Sequence, residues 1–364
     1  MNRNTIKTTL ASLALCGAAA TQTACSQPGV NCQATPAVAY AAKYTRTAGE
    51  DTCSVGTFKG DTLGFASYNA STTSSLGQTV PDLNKVSLAI RTHFLGAQVA
   101  FAKDSGVIDA TQGHAAHAFG PFAAAFPAND VCTATLEPAQ QALPEIAGDV
   151  GEAEDPDDDL PAQAGLDIKE EWSDVRVYTT AANIGTQVKG HYTVTDNVAG
   201  CTAEYDVLAI YPAVACGDVV AEGDVIDIAS IDDSDTDGPV HVVTTAPHGL
   251  AVGDAIEIGG ADDDERSYDG NYSVAEVVSE VEFITNEIDP FDGDDPDPLG
   301  ATGTVQKLIT VGNADYCSSA PVPAAGIAVG SGISQDYPTV CDAELFLCVL
   351  DADPSAAAFP ILNK

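Results

Sequence analysis

Basic side chains are scarce in this sequence, in which 14 Lys and Arg residues stand against 53 Asp and Glu residues. The resulting formal net charge of −39 repels phosphate groups, so the composition disfavours anionic lipid head groups and excludes nucleic acids as partners. Aromatic residues make up only 6% of the chain, with Trp172 as the single tryptophan, which argues against a carbohydrate-binding platform. The acidity suits solvation or a protein partner with a basic surface.

Common catalytic motifs are missing as well. The sequence has neither the Gly-x-Ser-x-Gly turn of a serine hydrolase nor a phosphate-binding loop ending in Gly-Lys-Ser/Thr. His114 and His117 lie three residues apart, but a zinc site needs at least a third ligand. These absences favour a non-enzymatic protein. A secreted hydrolase that uses a carboxylate pair stays open as the alternative, because an acidic chain offers many such pairs.

The N-terminus has the features of an export signal, which we predict over residues 1–24. Arg3 and Lys7 form a positive segment, and Thr8–Ala20 is largely apolar but too short to cross a bilayer as a helix. No later segment offers about 20 uninterrupted apolar residues, so we expect no transmembrane helix.

Two processing routes are open at this signal. The small residues Ala18–Ala20 suit a general signal peptidase. Gln22-Thr23-Ala24-Cys25 resembles a bacterial lipobox, in which Cys25 becomes the lipidated first residue, although Gln22 stands where such a motif usually has Leu. We predict that Cys25 is lipidated and that this lipid is the only membrane contact.

The number of cysteines supports lipidation and predicts disulfides. If Cys16 leaves with the signal and Cys25 carries a lipid, an even set remains: Cys32, Cys53, Cys132, Cys201, Cys216, Cys317, Cys341 and Cys348. Such a set in an exported chain predicts a disulfide-stabilised protein of the bacterial cell envelope, anchored at the outer membrane or extracellular. The local pairs Cys201–Cys216 and Cys341–Cys348 are the simplest hypothesis for the connectivity.

The hydrophobic patterning predicts a mainly β fold with a minor helical part (α+β). Residues 25–60 have the composition of a tether or the start of an envelope domain. Residues 61–219 and 313–364 share a Cys-rich character and predict one discontinuous domain, interrupted by an acidic β-barrel module at 220–312. The acidic run at 148–163 predicts an exposed loop.

Local patterns predict individual elements of the discontinuous domain. Residues 61–70 are typical of a strand. Lys85 to Phe101 is ambiguous, because Val86, Leu88 and Ile90 alternate as in a strand. Apolar residues at three- and four-residue steps favour a helix over at least Thr92 to Lys103: Leu83, Val86, Ile90, Phe94, Ala97 and Phe101. Pro138 near a first turn favours a second helix over Glu137 to Leu143. Period-two alternation predicts an antiparallel meander of three strands, at 175–179, 188–195 and 201–212.

A recognisable motif lies in the acidic segment. Val242-Val243-Thr244-Thr245-Ala246-Pro247-His248-Gly249-Leu250 is followed by Gly253-Asp254, Ile256-Glu257-Ile258, Gly270-Asn271-Tyr272-Ser273-Val274, Glu282-Phe283-Ile284 and Gly303-Thr304-Val305. Residues 223–310 thereby resemble a small β module of bacterial and phage-tail proteins, labelled by its similarity to the first catalytic-cysteine half-domain of ubiquitin-activating enzymes. The resemblance implies a barrel insert without ubiquitin chemistry of its own. The rest of the chain resembles Cys-rich bacterial lipoproteins.

The residues of this segment predict a small barrel independently of the resemblance. Period-two apolar sets run through Val240 and Val242, Ile256 and Ile258, and then Tyr272, Val274 and Phe283. His248 stands at a glycine-containing turn, where we expect it to cap the turn by bonding to backbone and not to act as a ligand or base.

One acidic loop is the best candidate for a metal site. Asp233, Asp235 and Asp237 precede Gly238, in the order that opens a calcium loop. The twelfth position, where an EF-hand has a bidentate Glu, is Thr244. A looser calcium site, a calcium-dependent adhesin and a solvated acidic turn all remain open. No other cofactor is expected.

Overall fold

In a computed structural model the protein is described for residues 30–35, 39–50, 54–108, 116–145, 164–232, 239–261, 268–288, 303–355 and 358–363. The chain divides into two compact units. The first comprises Met1–Val214, Cys317–Val340 and Cys348–Lys364, and the second comprises Ala215–Tyr316 and Cys341–Leu347. Both are built mainly of strands, which confirms the predicted fold class. Within the described residues, no helix has both the length and the apolar character to span a bilayer.

A nine-stranded antiparallel sheet forms the first unit. In space the strands follow the order β4-β3-β2-β1-β9-β8-β7-β5, and β6 also pairs with β7. Their bounds are β1 (Ala39–Ala48), β2 (Gly60–Thr73), β3 (Thr79–Thr92), β4 (Ala118–Pro121), β5 (Val131–Ala134), β6 (Ala139–Leu143), β7 (Leu166–Thr179), β8 (Ile184–Asp196) and β9 (Cys201–Ile210). Strand β1, in the segment predicted as a tether or the start of the domain, lies between β2 and β9.

The predicted meander is confirmed as β7, β8 and β9. Trp172 is opposite Tyr192, and Tyr192 is opposite Tyr205, so three large side chains share one face of neighbouring strands. All three are buried, because alternate side chains of a strand point to the same face. The strand predicted at 61–70 is confirmed within β2.

The two ends of this sheet meet through backbone hydrogen bonds. The N–H of Ala123 donates to the carbonyl of Thr133 at 2.8 Å, and the N–H of Glu137 donates to that of Phe119 at 2.8 Å. These bonds join β4 and the residues just after it to β5 and the residues just after that, so the sheet curls back on itself. Closure of this kind leaves fewer strand edges exposed.

The predicted helix at 92–103 is confirmed as α1 (His93–Asp104). It begins directly after β3, because the Thr92 side chain caps it by accepting from the N–H of Leu95 at 3.2 Å. Leu95, Val99 and Ala102 are its buried residues. The prediction rested on Phe94, Ala97 and Phe101, so the helix is confirmed, but its buried face is formed by other residues with the same three- and four-residue spacing.

The second predicted helix, at Glu137 to Leu143, is wrong. This segment contains strand β6, which pairs with β7 so that Ala139 lies opposite Glu170 and Leu143 opposite Leu166. Ala139 and Leu143 are both buried, a spacing of four residues that fits a helix and a strand equally. Pairing with β7, which is distant in the sequence, makes this segment a strand and not a helix. Such pairing cannot be deduced from the short segment alone.

A closed six-strand barrel forms most of the second unit. The strands follow the cyclic order β10-β11-β14-β13-β12-β15. Their bounds are β10 (Gly217–Asp232), β11 (Pro239–Thr244), β12 (Ala255–Gly259), β13 (Gly270–Ser279), β14 (Glu282–Ile288) and β15 (Thr304–Gly312). The period-two residues predicted to face a core do so, since Val242, Ile256 and Phe283 are fully buried.

The remaining elements are short. Turns of 3-10 helix occupy Ser54–Thr57, Ala314–Cys317 and Pro323–Ala325. A two-stranded sheet joins β16 (Thr339–Cys341) to β17 (Cys348–Leu350).

Three disulfides are described, each within a single unit. Cys32 bonds Cys132 and Cys317 bonds Cys348 in the first unit, whereas Cys216 bonds Cys341 in the second. The local pairs Cys201–Cys216 and Cys341–Cys348 are therefore wrong. The N–H of Cys216 donates to the carbonyl of Phe346 at 2.8 Å, which holds Cys341–Leu347 against Cys216 despite the distance in sequence.

Closure of the first sheet depends on Gly120 in β4. A Cβ at this position would lie 2.0 Å from the carbonyl oxygen of Thr135, a backbone atom that cannot move aside without breaking the closure. We expect Gly120→Ala to lower the free energy of unfolding by about 3 kcal/mol, measured by urea denaturation. Gly64→Ala is the control, because its Cβ would meet only the carbonyl oxygen of Arg91 at 3.7 Å. Equal stability of the two variants would contradict this account.

Candidate functional site

Several of the predicted site residues lie outside the described residues. These are the lipidation site Cys25, the disulfide candidate Cys53, the calcium candidates Asp233, Asp235 and Asp237, and His114 of the histidine pair. Cys201 is disulfide-bonded, and the other described cysteines bond to one another. The partner of Cys201 therefore lies outside the described residues.

The barrel of the second unit carries a groove with a volume of about 690 Å³. One wall is an irregular part of β10: the pairing with β15 passes from Glu222 opposite Lys307 directly to Ile226 opposite Val305. The residues between bulge out of the ladder, with Gly223 at a φ of 78° that few other residues adopt. This bulge turns Asp224 and Val225 into the groove. The opposite wall is the turn at Thr245–Leu250.

The groove is negatively charged. Glu222, Asp224 and Asp227 line it, and within the described residues no salt bridge neutralises them. Lys307 is the single basic lining residue, and its Nζ lies 2.8 Å from Oδ2 of Asp254. That hydrogen bond lowers the pKa of Asp254, so the Lys307 charge is already matched. We call the surface formed by Glu222, Asp224 and Asp227 the acidic groove.

His248 lies beside the acidic groove, but both of its ring nitrogens are hydrogen-bonded to backbone groups. Its Nδ1 accepts from the N–H of Leu250 at 3.0 Å, and its Nε2 lies 3.0 Å from the carbonyl of Ser279, to which it donates. Both ring nitrogens are used and the residue is buried. The prediction that His248 caps the turn is confirmed.

A second polar site lies inside the first unit, around Glu170 of β7. Thr92 Oγ1 donates to Glu170 Oε1 at 2.6 Å, and the Tyr192 hydroxyl donates to the same oxygen at 3.0 Å. Glu170 Oε2, the Tyr44 hydroxyl and Trp172 Nε1 are buried with no hydrogen-bond partner among the described residues. The alternation of β7 places Ile168, Glu170 and Trp172 on one inward face.

Burial raises the pKa of Glu170 to about 7, although hydrogen bonds from Thr92 and Tyr192 oppose the shift. Burial also raises the pKa of Asp61, against hydrogen bonds from the N–H groups of Phe94 and Thr62. Two carboxylates with raised pKa values would suit a hydrolase if both faced a cleft. Glu170 has no solvent-exposed surface. Asp61 accepts hydrogen bonds from the N–H groups of Thr62 and of Phe94 at the start of α1, so this pair is structural.

Sequence reasoning missed the acidic groove and Glu170. The concentration of acidic residues from 224 to 297 pointed to the barrel, but not to three carboxylates along one bulge. The available signal was Gly223 between two acids, since an isolated Gly in a strand pattern suggests a bulge. Glu170 had a signal too, because it interrupts an apolar period-two set.

Comparison with known proteins gave a match to a family model. The MlpA family model matches residues 38–212, which is less than half of the 364-residue chain. No curated protein and no solved structure matched. The MlpA similarity and the disulfides are compatible with an extracellular or cell-envelope protein.

The buried Glu170 predicts a pH-dependent stability. Its pKa is raised in the folded state from 4.5 to about 7, so its neutral form favours folding below pH 4.5. That contribution is lost as the pH rises from 4.5 through about 7, on the order of 3 kcal/mol in total. We expect Glu170→Gln to remove this fall in the free energy of unfolding, measured by urea denaturation between pH 5 and 8.

Glu171→Gln is the matched control, because Glu171 is the next residue of β7 and points to the partly exposed outer face. It should keep the wild-type pH dependence. If the two variants lose the same part of the pH dependence, its source is general surface charge and not Glu170.

Proposed function

We propose that this protein is an exported, lipid-anchored protein of the bacterial cell envelope with a non-enzymatic binding role. Its partner is a protein with a basic surface, which it binds through the acidic groove of the barrel. The observation that carries the proposal is the set of carboxylates of Glu222, Asp224 and Asp227, gathered on one cavity without a neutralising base among the described residues.

The chemistry of the groove suits Lys and Arg side chains. Exposed carboxylates on β10 offer acceptors for a cationic head group, while Val225, Pro247 and Leu250 provide apolar surface for its stem. Long basic side chains bind in this way, with the methylene groups on apolar surface and the charge at a polar rim. A groove of about 690 Å³ has room for a few such side chains.

Export is supported by the disulfides, which persist in oxidising compartments. The first unit contains two and the second unit one among the described residues. The MlpA similarity over residues 38–212 agrees with an envelope protein. The resemblance of residues 223–310 to a bacterial and phage-tail β module agrees with a binding insert, and the closed barrel supports it.

Lipidation of Cys25 is supported by the cysteines that remain. If Cys16 leaves with the signal and Cys25 carries the lipid, Cys53 is left to pair with Cys201. Described residues that precede and follow Cys53 in the sequence contact β9 near Cys201. Ala48 pairs with Glu204, and the Tyr205 hydroxyl donates to the carbonyl of Val55.

The anchor is tested with Cys25→Ala in a bacterial host. We expect the wild-type chain to incorporate labelled fatty acid and to fractionate with membranes, and the variant to lose the label and leave the membrane fraction. Cys16→Ala is the control and should behave as wild type, because Cys16 lies in the cleaved signal. Non-reducing peptide mapping should link Cys201 to Cys53. Labelling that persists in Cys25→Ala would rule out this anchor.

Binding by the acidic groove is tested with the full chain and an oligolysine peptide. The triple variant Glu222→Gln/Asp224→Asn/Asp227→Asn should weaken binding about tenfold at physiological salt, where distant surface charges are screened over about 8 Å. Glu257→Gln/Glu276→Gln/Asp315→Asn is the control, because it removes the same charge from exposed positions of the second unit away from the groove. Equal losses in both variants would show attraction to net charge alone and contradict the groove.

A further inference from the structure

The first unit carries a cavity of about 580 Å³ on the outer face of its sheet, at β1, β2, β3 and the start of α1. The residues of its floor are small, which leaves the sheet uncovered there: Ala39, Gly64, Ala66 and Ala89. These residues are neighbours across the strands, since Gly64 lies opposite Ala39 and Ala66 opposite Ala89. We call this cavity the outer trough. Its volume is in the range of small-molecule sites.

The outer trough has the opposite charge to the rest of the chain. Arg91, His93 and His117 line it, and none of the residues that line it is acidic. In a protein with 53 acidic and 14 basic residues, this local composition is unusual. Two carboxylates lie nearby but line none of the trough. Glu170 is fully buried, although the charge of Arg91 opposes the rise of its pKa, and Asp61 accepts hydrogen bonds from the N–H groups of Thr62 and Phe94.

The Arg91 side chain is placed against α1. A Cβ on Gly96 would lie 3.2 Å from Arg91 Nε. The Arg91 side chain therefore packs against α1 at Gly96, where the missing side chain leaves room for it. Within the described residues Arg91 forms no salt bridge. A guanidinium without a salt bridge can donate two parallel N–H hydrogen bonds to the two oxygens of a carboxylate.

Aromatic rings border the trough on the side away from α1. Tyr68 lines it and is 55% exposed, and its ring lies 6.1 Å from that of Phe119 in an edge-on arrangement. The His117 ring lies 6.3 Å from Phe119, also edge-on. Phe119 is 41% exposed. Exposed aromatic rings that lie together on a surface offer apolar area to a ligand.

We propose that the outer trough binds a small organic carboxylate. Arg91 binds the carboxylate group, and the apolar body of the ligand lies on Gly64, Ala66 and Ala89 with its far end against Tyr68. A single permanent cation matches a singly charged ligand, and the net charge of −39 opposes the approach of polyanions. This site lies within the segment that matches MlpA, and it depends on neither the lipid anchor nor the acidic groove.

The test is calorimetric titration of the full chain with 4-phenylbutyrate and with its neutral amide, 4-phenylbutyramide. The acid should bind with a dissociation constant of about 1 mM or below, and the amide at least about tenfold more weakly. Arg91→Gln should weaken binding of the acid about tenfold. Ala66→Leu should abolish binding by filling the floor, and leucine is well tolerated on a partly exposed strand face.

Arg176→Gln is the matched control, because Arg176 is an exposed arginine on β7 of the same unit outside the trough. It should bind the acid as wild type does, and the melting temperature of each variant verifies its folding. Equal affinity for acid and amide, or unchanged binding by Arg91→Gln, would overturn the proposal. So would the absence of heat for the acid at about 10 mM. None of these outcomes bears on the anchor or on oligolysine binding.

Discussion

Antiparallel backbone pairing is the constraint on which both units depend. In the second unit it closes six strands into a barrel, and in the first it joins the two ends of a nine-stranded sheet through bonds such as that from Glu137 to Phe119. Because the described residues contain a single α-helix, strand pairing is the main source of hydrogen bonds for their backbone polar groups. Closure satisfies those groups and fixes which side chains point inward.

Inward-facing positions are fixed by strand alternation even when the residue is polar. Glu170 lies between Ile168 and Trp172 on β7, so pairing with β8 places its carboxylate inside with Tyr192. The fold accommodates it through hydrogen bonds from Thr92 and Tyr192, and Thr92 also caps α1. One buried carboxylate thereby connects a strand to the start of the helix. Burial shifts its pKa toward neutrality, which makes this connection sensitive to pH.

Charge is distributed unevenly between the two units. The acidic groove of the barrel arises from a bulge in β10 that exposes Asp224 beside Glu222. The outer trough of the first unit instead gathers Arg91, His93 and His117 over a floor of small residues. Opposite charges at two separate cavities suit ligands of different chemistry. Because basic residues are scarce in this chain, their concentration at the outer trough says more about function than the acidic residues of the groove do.

The sequence by itself determined the elements with strong local patterns. Period-two alternation indicated β8, β9, the last part of β7 and the barrel strands β11 to β14, and three- and four-residue spacing favoured α1, because these periods reflect backbone geometry alone. Only the tertiary structure decided β6, the disulfide pairs and the two cavities. The apolar pattern of Ala139–Leu143 fits both a helix and a strand, and pairing with β7 makes it a strand. The disulfide between Cys216 and Cys341 depends on contacts between residues that are far apart in the sequence. Arg91, Gly96 and Tyr68 share a cavity only because β2, β3 and α1 are packed together.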